Sequence, residues 1–134
     1  MATINSKYLG QLRTELLHLQ SNNKITNDAP TDNNGKGEAF SPTDTVSGAL
    51  SSCMMTIMGI IATRNGFDLD GMTADVTKVM ASDPRRISEI HVNFKWPNAP
   101  GDKVTLDKLK RGAKTCPVAL SLHPDIKQVI TFNF

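Results

Sequence analysis

The stretch FSPTDTVSGALSSCMMTIMGIIATRNG, residues 40–66, decides how the rest of the chain is read. Ser41-Pro42-Thr43-Asp44 is a helix start. Ser41 can cap the free backbone N–H groups, Pro42 suits the first helical position, and Asp44 stands where the acid of a capping box stands. The helix is predicted to run to about Asn65, with Gly66 as its stop. Residues 45–63 are 19 in a row without a charge, long enough to test as a membrane span. Eight of them are Ser, Thr or Gly, too weakly apolar for lipid. A helix this uniformly uncharged is expected to be buried on all sides inside a soluble protein.

Working outward, residues 8–20 read two ways. Leu9, Leu12, Leu16 and Leu19 recur at helical spacing, whereas Asn22-Asn23 before Ile25-Thr26 suggests a hairpin. Residues 27–37 are polar and turn-rich, hence a loop. Downstream, Met72, Ala74 and Val76 alternate with polar residues, and Ser82-Asp83-Pro84-Arg85 makes a turn. Ile90, Val92, Phe94 and Trp96 then give the cleanest period-two signal in the chain. Leu106, Leu109, Ala113 and Cys116 fall on one helical face, and residues 126–134 alternate as a final strand. With 134 residues, 39% of them hydrophobic, and no repeat or linker, the reading is one α+β domain, residues 1–134. A net charge of +2 makes no electrostatic case for nucleic acid, and no basic-then-apolar leader opens the chain. The expectation is a cytoplasmic protein that binds neither nucleic acid nor membrane.

Two cysteines, Cys53 and Cys116, remain to be explained. Either can be a small hydrophobe in the core. A permanent disulfide is disfavoured in a reducing compartment. A metal site is weaker still, because there is no paired Cys spacing and His18, His91 and His123 are scattered. Thr115-Cys116-Pro117-Val118 places Cys116 at a helix N-cap, where free N–H groups and the helix dipole favour thiolate, with Arg111 and Lys114 near in sequence. Cys53 lies too deep in its helix for that help. Position alone therefore nominates Cys116 as the more acidic thiol.

The order of these pieces resembles the osmotically inducible protein C and organic hydroperoxide resistance proteins, the OsmC/Ohr family. The matching residues are Phe40-Ser41-Pro42-Thr43-Asp44 opening the helix, Gly48-Ala49-Leu50-Ser51-Ser52-Cys53 within it, Gly66-Phe67-Asp68-Leu69 closing it, and Cys116-Pro117-Val118 63 residues after the first Cys. The resemblance implies antiparallel sheets wrapped around two long central helices in an intertwined homodimer. It implies that Cys53 attacks a hydroperoxide and becomes a sulfenic acid, that Cys116 condenses with it to a disulfide, and that an external dithiol reduces the pair. No bound cofactor or metal is expected.

The family's activating carboxylate directly follows a Pro ten residues before the Cys, and here that position is Thr43. Asp44 is nine residues from Cys53, a turn of about 900°, and so lies on the opposite side of the helix. Glu38, in the preceding loop, is the candidate substitute acid, and Arg13, on the first segment, is the candidate activating cation. Arg85 and Arg86 read as a soluble hairpin tip. Met54, Met55, Ile57 and Met58 offer an apolar lining suited to organic hydroperoxides, although Met at helical spacing is also ordinary core filler. Two alternatives stand beside the peroxidase: a non-catalytic dimeric small-molecule-binding or redox-sensing protein, and Cys-based hydrolysis with His123, seven residues after Cys116, as base.

Overall fold

The first 28 residues form strands, not a helix. The computed structural model describes residues 1–134 and opens on β1 (Ile4–Gly10), β2 (Arg13–His18) and β3 (Lys24–Asp28), an antiparallel sheet in that order. The helical spacing of Leu9, Leu12, Leu16 and Leu19 is overridden by the turns. Gly10, Gln11 and Leu12 take positive φ of 89°, 53° and 63°, which reverses the chain in two residues, and Asn22 at 63° serves the next turn. The loop predicted from Asn27 starts two residues late, since Asn27 and Asp28 end β3 and are buried there.

Helix α1 runs over Pro42–Arg64 as read from the sequence. Its capping box is reciprocal. The Ser41 N–H donates to Asp44 Oδ2 and the Asp44 N–H donates to Ser41 Oγ, each at 3.0 Å. Gly66, at φ 81°, marks the stop, a backbone region where a Cβ would be strained. The start is also tied to β3, because Asn27 Nδ2 donates to Thr45 Oγ1 at 2.8 Å and to the Phe40 carbonyl at 3.2 Å.

After α1 come β4 (Thr73–Ala81), β5 (Arg86–Lys95), α2 (Lys103–Ala113), α3 (Pro117–Ser121) and β6 (Lys127–Asn133). The second sheet has the order β4-β5-β6. β4 and β5 are an antiparallel hairpin, whereas β6 runs parallel to β5, so this sheet is mixed and not wholly antiparallel. The parallel pairing follows from the connection, since α2 and α3 carry the chain back to the end where β5 began. Only α1 is long, at 23 residues; α2 has 11, against the expectation of two long helices.

By internal packing the chain divides into two units, Met1–Val46 and Ser47–Phe134, with α1 continuing from one into the other. The core of the second unit is Leu50, Met54, Met58 and Ala62 of α1, Ile90, Val92 and Phe94 of β5 with Trp96, Leu109 and Ala113 of α2, and Cys116. Trp96 is anchored by its indole N–H on the Asp70 carbonyl at 3.0 Å and by an edge contact with Phe134.

Burial of α1 corrects the expectation of a helix enclosed on all sides. Ser47, Leu50, Met54, Met58 and Ala62 form one buried stripe, while Ala49, Ser52, Thr56, Ile60 and Thr63 form an exposed one. The helix is long and apolar enough to cross a membrane by length and composition, yet its buried stripe is a core stripe packed on β5 and α2.

Candidate active site

Both thiols lie in the second unit. Cys53 faces the core from the middle of α1, half-buried, and Cys116 is fully buried at the N-cap of α3. Pro117 follows at the first helical position, and the Ala119 N–H donates to Cys116 Sγ at 3.4 Å. Cys53 lies near enough to Cys116 to act on its thiol, and both are free thiols. Residues 63 apart in sequence are thus adjacent in space.

Close packing of α2 on α1 makes this possible. A Cβ on Gly112 would fall 2.2 Å from Ile61 Cδ1, so with any other residue there the Ile61 terminal methyl must shift. The chain leaves α2 just beyond, and Cys116 caps α3 three residues after Ala113. Cys116 therefore keeps the buried face of Leu106, Leu109 and Ala113 without belonging to their helix.

The N-cap does not make Cys116 an acidic thiol, against the expectation from its position. Burial pushes its pKa up, the Ala119 N–H pulls it down less, and the neighbouring Cys53 adds to the rise. Five-residue α3 is short and its cap is dry, so desolvation of the thiolate outweighs the N-terminal N–H groups.

The first unit brings Arg13 and Glu38 together, with a third residue the sequence reading missed. Arg13 grips Asp28 through two hydrogen bonds, Nε to Oδ1 at 2.6 Å and Nη2 to Oδ2 at 2.8 Å. Glu38 Oε1 is the looser partner, 3.3 Å from Nη2. The Asp28 side chain is 3% exposed against 62% for Glu38, and Asp28 also accepts the Glu38 N–H at 3.0 Å. The Arg13 guanidinium accordingly holds the Asp28 carboxyl below its usual range, and Arg13 is itself held charged more firmly. Arg13 and Asp28 are directly opposite in the β2–β3 register. Reading residues 13–28 as a hairpin would have found the pair; reading Asp28 into a loop hid it.

Other candidates have ordinary roles. Asp44 is occupied in the capping box, and Thr43 Oγ1 sits 3.2 Å from Ser41 Oγ. Arg86 donates to the Pro84 carbonyl in the exposed β4–β5 turn. His18 pairs with Ser21, His91 with Glu89, and His123 Nδ1 accepts the Asp125 N–H. No three His, Cys, Asp or Glu side chains converge as metal ligands. Met54 and Met58 are core residues, so half of the expected substrate lining is packing; Met54 alone also lines an open groove of about 340 Å³ with Lys114, Gln128 and Ile130.

Comparison with known proteins agrees with this architecture. The family model for OsmC-like protein matches residues 35–130. No curated protein matches. A crystal structure of a proposed osmotic-stress-induced and detoxification response protein from Psychrobacter arcticus 273-4 is 53% identical, with a TM-score of 0.94 over 99% of this chain and 96% of that one. Two more distant structures show the fold alone. An organic hydroperoxide resistance protein OsmC from Legionella pneumophila is 12% identical, with a TM-score of 0.75 over 100% of this chain and 98% of that one. An organic hydroperoxide resistance protein from Elizabethkingia anophelis is 14% identical, with a TM-score of 0.69 over 98% and 96%. With the family model covering most of the chain and a relative at 53% identity along nearly all of it, the protein belongs to the OsmC-like family.

Proposed function

We propose that the protein is a thiol peroxidase that reduces organic hydroperoxides in stress defence, with Cys53 attacking and Cys116 resolving. Family membership and its stress-response relatives support the general role in osmotic-stress and hydroperoxide resistance. The observation that carries the finer reading is the adjacency of two free thiols, one half-buried and one fully buried.

The Cys53 thiolate attacks the distal oxygen of ROOH. The O–O bond breaks, RO⁻ takes a proton and leaves as alcohol, and Cys53 becomes a sulfenic acid. Cys116 Sγ then attacks Cys53 Sγ, its proton leaves with the hydroxide as water, and the disulfide forms. A dithiol supplies the two electrons that restore both thiols. Burial favours this order over the reverse, because the accessible thiol meets peroxide while the enclosed one, held as a neutral thiol, waits for the sulfenic acid.

Arg13 is the proposed activating cation, and Asp28, with Glu38 beside it, is the carboxylate that orients it in place of the acid absent at Thr43. The protein is read as a cytoplasmic homodimer. Support comes from the apolar residues of β1–β3 left uncovered, Ile4, Tyr8 and Ile25, and from Ile60 on the exposed stripe of α1. A three-stranded sheet with so little buried surface needs a covering layer. Light scattering that returns the mass of one chain at micromolar concentration would remove the dimer.

Serine substitutions test the chemistry. Cys53→Ser should abolish peroxide consumption, and Cys116→Ser should allow one turnover and trap a sulfenic acid. Peroxide consumption by Cys53→Ser would overturn the assignment.

A further inference from the structure

Positive charge is concentrated on α2. Residues 103–114 carry five cations, Lys103, Lys108, Lys110, Arg111 and Lys114, against one acid, Asp107. That is +4 in a chain of net +2, so the other 122 residues sum to −2. Lys103, Lys110, Arg111 and Lys114 fall within about 100° of the helical wheel, at spacings of seven, one and three. Ion pairs elsewhere engage Arg13, Lys24, Lys95 and Lys127; on α2, Lys108 acts on the Asp102 carboxyl and Lys110 lies 5.3 Å over the Phe134 ring. Lys103, Lys108, Arg111 and Lys114 are exposed.

Helix stability explains part of this. Lys110 and Arg111, in the last turn, complement the helix dipole. Lys103 is in the first turn, where a cation opposes the dipole, and Lys108 adds nothing to it. The rest of the charge is not accounted for by the helix dipole. Its far end, Lys114, stands two residues before Cys116 and lines the groove shared with Met54, Gln128 and Ile130. Gln128 Nε2 donates to the Ala119 carbonyl at 3.0 Å, so the groove wall is bonded to the helix that Cys116 caps.

We propose that the basic face of α2, ending in the Lys114 groove, docks an anionic dithiol reductant at the Cys53–Cys116 disulfide. The inference rests on the proposed formation of that disulfide. One reductant thiolate attacks Cys53 Sγ, the less buried sulfur, breaking the S–S bond and expelling Cys116 as a thiolate that takes a proton. The second reductant thiol attacks its own sulfur in the mixed disulfide, expels Cys53, and leaves as a cyclic disulfide. Negative charge on the reductant is drawn by the α2 cations, and the attraction weakens as salt screens it.

The disulfide can be made with diamide, which separates this test from the peroxide chemistry. Its reduction is then timed with 2,5-dimercaptoadipate, a 1,4-dithiol that carries carboxylates and closes to a six-membered disulfide, and with neutral dithiothreitol, which closes to a ring of the same size. In the wild type, the rate with dimercaptoadipate should fall as salt rises while that with dithiothreitol holds. In Arg111→Glu/Lys114→Glu, the ratio of the anionic to the neutral rate should fall about tenfold, and Arg111→Lys/Lys114→Arg should restore it. An unchanged ratio, an equal slowing with both reductants, or no disulfide after diamide would each overturn the proposal. If the ratio falls as expected but peroxide forms no disulfide, the docking site stands and the peroxidase reading fails.

Discussion

Gly112 is the contact where a single methyl group should reveal how tightly the thiol-bearing helices are held. A Cβ there would sit 2.2 Å from Ile61 Cδ1, 3.6 Å from Ile57 Cγ2 and 3.7 Å from Ile61 Cγ1. Comfortable carbon contacts lie at about 3.5–4.0 Å, so in Gly112→Ala the Ile61 terminal methyl must retreat by about 1.3–1.8 Å. Two effects oppose each other. Alanine for glycine inside a helix stabilises by about 1 kcal/mol. Overfilling a packed core costs about 1–3 kcal/mol. The net expectation is destabilisation of about 0–2 kcal/mol. Ile61→Val removes Cδ1 and alone costs about 0.5–1.5 kcal/mol. In the double variant the nearest remaining contacts, 3.6 and 3.7 Å, are ordinary ones. Strain then disappears while the helix gain remains, giving a favourable coupling energy of at least about 1 kcal/mol. Urea unfolding of the wild type, both single variants and the double variant, at matched slopes, measures that coupling. Effects that add to within about 0.3–0.5 kcal/mol would refute the packing argument.

Other perturbations probe separate parts of the account. Ser41→Ala removes one arm of the capping box and should cost about 1 kcal/mol in the same unfolding assay, with Ser41→Asp recovering most of it. Asp28 is held below its usual pKa by Arg13, so its contribution is present above the ordinary aspartate value and is lost as pH falls through the lowered one. Asp28→Asn should be less stable at neutral pH and show less acid loss; an unchanged acid limb would mean the pair contributes nothing. Cys116 has the opposite sign. Its burial-raised pKa means stability should begin to fall as pH rises above the ordinary thiol value, about 8.5, and Cys116→Ala should flatten that alkaline limb.

The parts of the fold legible in the sequence are those governed by local chemistry. Ser41, Pro42, Asp44 and Gly66 bound α1 because caps and stops act within one turn, and the alternation from Ile90 to Trp96 marks β5 because its alternate residues enter the core. The first hairpin was hidden because Gln11 and Leu12, rather than Asn-Gly, occupy its left-handed turn. The parallel β5–β6 pairing depends on a crossover that no strand pattern announces. The two cysteines could be singled out in the sequence, and Arg13 and Glu38 were separate candidates drawn from the resemblance, but their meeting and the part of Asp28 required the β2–β3 register. The Cys116 environment required burial. A helix N-cap is visible in four residues, whereas the desolvation that outweighs it is supplied by core residues drawn from across the second unit.

The central claim is that Cys53 and Cys116 are a peroxide-driven disulfide pair. Intact-mass and peptide mapping after one equivalent of an organic hydroperoxide tests it most directly. The account predicts rapid loss of both thiols, a mass decrease of two hydrogens, and one Cys53–Cys116 cross-linked peptide that a dithiol dissolves. Retention of both free thiols over hours, or a stable sulfenic acid on Cys53 with Cys116 untouched, would contradict it.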